Sequence, residues 1–576
     1  MPTPPSTPLS RRPRALVTGA LAAAALFSLH AGCGEPAPTE PTEPVVEPKQ
    51  FHVQLLGFND FHGNLEPPTG SNGTVNTAGA EGATVAVSAG GAAYFAAHME
   101  KLRAQNPNTV VVAAGDLIGA SPLVSGIFHD EPTIAVLNQI GLDITSVGNH
   151  EFDDGREELL RMQNGGCHPT DGCQSGTTFP GAKFQYLSAN VFTDVGARKT
   201  LLPAYAIREF EGVKVAFIGM TLEGTPSIVN PTGIVGLTFQ DEADTVNALV
   251  PELKAQGVEA IGVLIHEGGA ITGFYNECPG VSGAIVDIVN RLDRAVDFVH
   301  SGHTHNAYNC VIDGRRVTSA ASFGRVISQV DLVLDTGTRD VVSTSATNHI
   351  VTRETAHPSV EGMVKDFVAR AAPLANRVIG RTPVALAAPV RPPPAGQSGE
   401  SLLGNVVADA MLEATRDPAR GGAVIALTNS GGVRADIAAG DITYGQVFSV
   451  QPFANNLVTL TLTGAQIEQI LEQQFQSTTR ILQVSAGFSY TWDSKGPAGN
   501  KVDPATIQLN GTVVDPAANY RVTGTNFLAA GGDGYATFAQ GKDLLTGPID
   551  VDAFEAYLKA HNPLPTPTLG RITLVK

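Results

Sequence analysis

Five short segments carry side chains that bind divalent cations, and each follows an apolar run. Asp60 and His62 come after Leu55-Leu56-Gly57-Phe58, and being two residues apart they share a side of an extended chain. Asp116 follows Val111-Val112-Ala113-Ala114, and Asn149, His150, Glu151 and Asp153 follow Thr145-Ser146-Val147. His266 and Glu267 follow Val263-Leu264-Ile265, and His303 and His305 follow Phe298-Val299-His300-Ser301. Carboxylate, imidazole and amide donors suit zinc, manganese or iron. One such segment alone reads as an ordinary surface turn. Five in sequence, each placed after an apolar run, point to a site.

These segments need elements that hold them together. The runs His52–Phe58, Thr109–Ala114, Lys214–Met220, Ala260–Ile265 and Val296–His300 predict strands that alternate with helical stretches, an α/β pattern over residues 51–350. Sites collect at the C-terminal ends of such strands. Val360, Met363, Val364, Phe367, Val368, Ala371 and Leu374 fall on one helical face and predict a joining helix within residues 351–380. Residues 381–576 read as a second mixed α/β unit, with Arg391–Pro394 as a loop near its start. With 576 residues, the chain is too long for one ordinary domain.

The second unit has Gly-rich turns near Arg434, and Phe453 and Phe527 on polar-flanked loops. Those two rings could sandwich a flat base or serve simply as core aromatics.

The ordered motifs Asn-Asp-Phe-His-Gly (59–63), Gly-Asp (115–116), Gly-Asn-His-Glu-Phe-Asp (148–153), His-Glu-Gly (266–268) and Gly-His-Thr-His (302–305) resemble those of the calcineurin-like metallophosphoesterases. In detail they are similar to the 5′-nucleotidase family, which includes bacterial periplasmic nucleotidase/UDP-sugar hydrolases. The resemblance runs from about residue 51 to the C-terminus. It implies a four-layer α/β/β/α sandwich joined by a helix to a second α/β domain. It implies two divalent ions, one held by Asp60, His62 and His305, the other by Asn149, His266 and His303, with Asp116 between them. It further implies that His150 stabilises charge on the phosphoryl or leaving oxygen while a carboxylate orients it. Asp153 matches that carboxylate, and Asp154 competes for the role. In the second domain, Phe453 and Phe527 match a base-stacking pair, Asp533 a ribose-binding acid, Asn429 a base or sugar contact and Arg434 a phosphate-side cation. Relatives often carry Arg two residues before the Gly-Glu-Ser element, where this chain has Gln397. A neutral side chain there implies weaker phosphate binding, and Gln397→Arg would be expected to tighten it.

The implied function is hydrolysis of a nucleotide 5′-phosphate by a metal-activated water. The same motifs fit a 2′,3′-cyclic-nucleotide phosphodiesterase/3′-nucleotidase, a nucleotide-sugar pyrophosphohydrolase, or a binding protein of this fold that has lost its chemistry. A binding protein would be expected to have damaged ligands, and all seven ligand positions are intact.

Charge and leader narrow the setting. There are 37 basic and 55 acidic side chains, a net charge of −18, with the acidic excess concentrated in residues 51–350. This argues against broad contact with polymeric nucleic acid, which needs a basic footprint. Residues 1–32 read as a signal peptide, with Arg11, Arg12 and Arg14 ahead of the apolar run Ala15–Leu29. Ala31-Gly32-Cys33 resembles a lipoprotein signal ending at a lipidated Cys33. Residues 33–50, rich in Pro, Glu and Thr, read as a tether. The protein is therefore expected to be exported, periplasmic or at the cell surface, and held there through lipid. In an oxidising compartment Cys167, Cys173, Cys278 and Cys310 allow three pairings, of which chain proximity favours Cys167–Cys173 with Cys278–Cys310.

Overall fold

The structure is a computed structural model that describes residues 48–575 apart from 81–82, 175–176, 230, 454 and 477. The signal segment, Cys33 and nearly all of the tether lie outside the described residues. Residues 48–576 form one compact unit.

Twelve strands make the two large sheets of the first half: β1 (Gln50–Phe58), β2 (Thr109–Ala114), β3 (Ile144–Ser146), β4 (Gln185–Leu187), β5 (Tyr205–Phe210), β6 (Val213–Thr221), β7 (Ala260–His266), β8 (Val296–Ser301), β9 (Ala307–Ile312), β10 (Arg315–Ala320), β11 (Val326–Asp335) and β12 (Asp340–Ile350). One sheet has the order β12-β11-β1-β2-β3-β4 and the other β9-β10-β8-β7-β6-β5. Strands β1 to β4 pair in parallel, as do β6, β7, β8 and β10. The remaining pairings, β1 with β11, β11 with β12, β5 with β6 and β9 with β10, are antiparallel.

Alternation along the strands builds four layers. Phe51, Val53 and Leu55 of β1 face a core shared with Phe217, Leu264 and Phe298 of the other sheet. Leu56 and Phe58, on the opposite face of β1, join Phe61, Phe95, Met99, Ile134 and Leu137 beneath the helices Ala92–Arg103 and Glu131–Ile140. On the outer face of the second sheet, Ile261, Val263 and Ile265 of β7 pack against Val246, Leu249 and Leu253 of the helix Glu242–Ala255. Both sheets are covered on both sides, so their parallel strands read as continuous apolar runs. Each large apolar side chain buried this way contributes about 1.5–3 kcal/mol. This is the four-layer α/β/β/α sandwich, joined to a second α/β part.

Disulfides join Cys167 to Cys173 and Cys278 to Cys310.

The helix Pro358–Ala375 buries Val360, Val364 and Ala371 in the same core as Phe61 and Phe95. It therefore docks on the first half rather than spanning solvent. Leu374, expected on its apolar face, is instead exposed. The chain then enters the strand Val378–Thr382, which pairs with Gly440–Thr443. A five-stranded sheet organises the second half, with Ile425–Thr428 next to Asn519–Thr525 and Asn456–Thr463 beyond it. The helix Leu402–Thr415 packs on one face. The Gly-Glu-Ser element is structural. Ser401 caps that helix by accepting from the Gly404 N–H at 2.9 Å, and Glu400 accepts from Asn405 Nδ2 at 2.7 Å and from the Gly570 N–H at 2.9 Å.

Candidate dimetal centre and nucleotide cleft

The metal-type residues of the first half converge because both sheets end at one edge. His266 is the last residue of β7, and the other motifs follow β1, β2, β3 and β8 directly. Asp60, His62 and His305 lie close enough to share a cation, and so do Asp116, His266 and His303. His62 Nε2 lies 3.1 Å from His305 Nε2, and His305 Nε2 lies 3.3 Å from Asp60 Oδ1. Asn149 Oδ1 is 3.0 Å from His303 Nδ1. Asp116 stands between the groups, with Oδ2 at 2.9 Å from His266 Nε2 and 3.6 Å from His62 Nε2.

Three observations fit these residues to divalent cations. Asp60 Oδ1 and His266 Nε2 are buried without a well-oriented hydrogen bond, and their nearest polar neighbours are other members of the cluster, His305 Nε2 at 3.3 Å and Asp116 Oδ2 at 2.9 Å. The donors are the imidazole and carboxylate types that such ions take. Asp60, His62, Asp116, His303 and His305 all adopt left-handed backbone, with φ between 46° and 70°. Each such residue costs on the order of 1–3 kcal/mol and persists where the surroundings impose it for function.

Neighbouring bonds hold the ligand side chains in place. His62 Nδ1 meets Gly119 O at 2.8 Å, and His266 Nδ1 meets Ala114 O at 2.7 Å, which leaves each Nε2 facing the centre. Glu151 accepts from the N–H groups of Asp116 (2.9 Å), Leu117 (2.7 Å) and Gly148 (2.5 Å), tying two motif loops together. Burial and the nearby Asp116 push Glu151 up to about 7. Gly148 is required here because a Cβ would collide with the Asp116 carboxylate. Burial pulls His62 and His305 below the usual imidazole range. Burial and the nearby His266 take His303 to about 3. These are neutral, ligand-ready forms. His266 is buried as well, but Asp116 outweighs that and raises it to about 10.

His150 stands outside the groups around Asp60 and His303, although with His62 and Asp116 it forms a third grouping close enough to share a cation. Its Nδ1 lies 2.7 Å from Asp153 Oδ2, so Asp153 rather than Asp154 is its carboxylate partner. Burial lowers its proton affinity, but Asp153 and Asp116 more than compensate, and the net shift is upward. Asp154 is itself pushed to about 6 by burial and the charge of Asp153. Glu267 is half-buried and accepts from the Gly268 N–H at 2.8 Å.

The second half reaches into this site. Phe453 stacks on His150 with centroids 5.6 Å apart and planes 14° from parallel. The Arg434 guanidinium lies 5.7 Å from the Phe453 ring and within the field of Asp116, Asp153 and Asp60. Asn429 Nδ2 donates to Asp533 Oδ2 at 2.7 Å. Phe527 lies against Gly532, beside Asp533. Asn429, Arg434, Phe453 and Asp533 thus gather toward the cation cluster, and Phe527, beside Gly532, packs partly on the core that includes Ile467 and Leu528. The structure also pairs Phe453 with the imidazole, a contact the sequence reading did not include.

Two arginines were missed. Arg391 Nη1 comes so close to Gly431 that a Cβ there would lie 3.1 Å from it. Desolvation and the like charge of Arg434 pull Arg391 down to about 10, although its outer side stays exposed. Arg480 Nη1 lies 3.3 Å from Asp533 Oδ1. A cation just before a proline run is the only cue to Arg391, and Arg480 has no local cue.

The expectation for Gln397 is corrected by its position. Its N–H bonds Pro394 O at 3.0 Å, and the residue lines a separate cavity of about 510 Å³ with Pro393, Phe475, Trp492 and Lys501. Arg391, whose Nη1 approaches Gly431 beside Asp533, is instead the cation found next to that carboxylate. Gln397→Arg is thus expected to leave KM for a nucleoside monophosphate unchanged. Arg391→Ala is expected to raise it about tenfold, the loss of one charge-assisted contact. Initial-rate kinetics on both variants check this.

Comparison with known proteins agrees with this geometry. A calcineurin-like phosphoesterase model matches residues 53–307, and a 5′-nucleotidase C-terminal domain model matches residues 378–540. Endonuclease YhcR of Bacillus subtilis is 34% identical over 92% of this chain, which spans 41% of that protein's length. Cell wall protein Lmo0130 of Listeria monocytogenes is 32% identical over 88% of the chain and 67% of its own length. The crystal structure of a 5′-nucleotidase precursor from Thermus thermophilus matches with a TM-score of 0.73 and 28% identity, covering 91% of this chain and 99% of that one. With both domain models in order and the ligand cluster assembled, the chain belongs to the 5′-nucleotidase family and is a metal-dependent phosphoesterase.

Proposed function

We propose that this protein is an exported 5′-nucleotidase that releases phosphate and a nucleoside from a nucleotide 5′-monoester. One observation carries the reading. The His150–Asp153 pair lies between the cation-type cluster of the first half and Phe453 and Arg434 of the second. A phosphate at the cluster then has a base-sized aromatic platform within reach.

Asp60, His62 and His305 would hold one divalent ion and Asn149, His266 and His303 the other, with Asp116 placed to serve both. Such ions supply Lewis acidity toward a phosphoryl group and water. His150 offers Nε2 to the phosphoryl or leaving oxygen, because Nδ1 is committed to Asp153. As the P–O5′ bond breaks, a charged imidazole stabilises the negative charge developing there. Asp153 keeps the ring oriented and favours that charged form. Arg434 and Arg391 offset phosphate charge. Phe453 and Phe527 provide apolar surface for the base, and Asn429 and Asp533 provide polar contacts to base and sugar.

The leader supports export, and similarity to a cell wall protein is consistent with it. Lipidation at Cys33 completes the proposal and accounts for the tether. A panel of AMP, 3′-AMP, 2′,3′-cyclic AMP and UDP-glucose, run with zinc and with manganese, tests the activity. AMP is expected to give the highest kcat/KM. A higher value for the cyclic or sugar nucleotide would replace this reading with the corresponding family activity.

A further inference from the structure

The cleft holds more positive charge than one phosphate uses. Arg434 stands at the metal end, near Asp60, Asp116 and Asp153. Arg391 lies beside Asp533, since its Nη1 and Asp533 Oδ2 come within 3.1 and 3.4 Å of the same Cβ position at Gly431. Arg480 meets Asp533 at 3.3 Å. Three guanidiniums and one carboxylate leave an excess of two positive charges. Among the described residues, the side chains of Arg391 and Arg434 make no hydrogen bond, and Arg480 makes that single long one. Each guanidinium has five N–H donors, so nearly all of this capacity faces the cleft unspent. The Arg480 backbone is fixed, because its carbonyl accepts from the Tyr535 hydroxyl at 2.6 Å.

Arg434 shares the field of Asp60, Asp116 and Asp153 at the cation cluster, whereas Arg480 is held at Asp533. Phosphate oxygens match the guanidinium fork, and Arg391 and Arg480 are both accessible enough to receive one. Asp533 Oδ2 takes Asn429 and Oδ1 takes Arg480, so a ribose held by Asp533 would lie beside the Arg480 guanidinium.

We propose that the ribose end of this cleft takes a second phosphoryl group, and that Arg480 selects nucleotides phosphorylated on the ribose as well as at the 5′ position. This rests on the 5′-nucleotidase reading. A second phosphate in a 5′-diphosphate chain is the competing use of the charge. It would lie between the cation cluster and Arg391 and would not need Arg480.

The test measures kcat/KM for adenosine 3′,5′-bisphosphate, AMP and ADP with wild type, Arg480→Gln and Arg480→Lys. Wild type is expected to favour the bisphosphate over AMP by about tenfold or more, the worth of one good charge-assisted contact. Arg480→Gln should bring that ratio close to one through a higher KM for the bisphosphate, and Arg480→Lys should recover part of it. A wild-type ratio near one, a ratio unchanged in Arg480→Gln, or an equal loss for ADP and the bisphosphate would overturn the assignment. Absence of AMP hydrolysis with every metal would reject the 5′-nucleotidase reading itself. Calorimetric binding of adenosine 3′,5′-bisphosphate against AMP, in wild type and Arg480→Gln, would then still decide the role of Arg480.

Discussion

His150→Ala is expected to lower kcat by about 10²–10⁴ while leaving metal content at the wild-type level. The two halves of this expectation rest on different atoms of one residue. The imidazole is bonded to Asp153 at 2.7 Å and stacked on Phe453, so truncation removes the group that meets developing charge. The His150 backbone N–H donates to Asp116 Oδ1 at 2.9 Å, and alanine keeps that N–H. The carboxylate between the two ligand groups therefore stays oriented. Asp60, His62 and His305 are untouched, as are Asn149, His266 and His303. KM should change little, since Arg434, Arg391 and the aromatic surfaces remain. Metal analysis of the purified variant beside its steady-state rate is the check. A variant stripped of metal would make His150 a ligand and remove its assigned role. Asp153→Asn should follow in the same direction with a smaller loss, because the ring stays but its charged form is no longer favoured.

The first half of the site could be read from the sequence because its determinants are local. The run predicted at Ala260–Ile265 is a strand over Ala260–His266, and that at Thr109–Ala114 matches residue for residue. Apolar, β-branched runs covered on both faces leave a strong local signal, and the ligands sit immediately after them. The choice between Asp153 and Asp154 was not readable. The short turn His150–Phe152 decides it by carrying the third residue, not the fourth, back to the imidazole. The left-handed backbone of Asp60, His62 and His305 was equally invisible, since those residue types do not announce positive φ. Contacts of the second half depend on long-range packing. Phe453 reaches His150, and Arg391 and Arg480 flank Asp533, across separations where no periodicity operates. The sequence reading treats Arg391 as part of a loop and looks for the cation at the position of Gln397. The error came from counting residues along a loop whose path the fold decides.

The largest loss is expected from Asp116→Ala, which should empty both cation positions and abolish measurable turnover. Asp116 Oδ2 lies within 3.6 Å of His62 Nε2 on one side and 2.9 Å of His266 Nε2 on the other. It is the one carboxylate placed to serve both groups. Removing it leaves one group with Asp60 as its carboxylate and the other, Asn149, His266 and His303, with neutral donors alone, so both would hold a divalent ion poorly. A supporting-shell loss alone costs about 10- to 100-fold in metal affinity, so loss of a shared ligand should exceed that at both positions. Stability gives a second readout that does not depend on activity. An ion that binds only the folded chain stabilises it by RT ln(1 + [L]/Kd), about 4.1 kcal/mol at a thousandfold excess over Kd. Wild type should therefore show a zinc-dependent rise in Tm, and Asp116→Ala should lose most of it. Asp116→Asn separates charge from shape. Its amide oxygen can still accept from the His150 N–H, which preserves the loop, so any lost zinc response reports the missing charge. Full metal occupancy in Asp116→Ala would assign the shared position to another residue. Loss of one ion with retention of the other would place Asp116 in a single group.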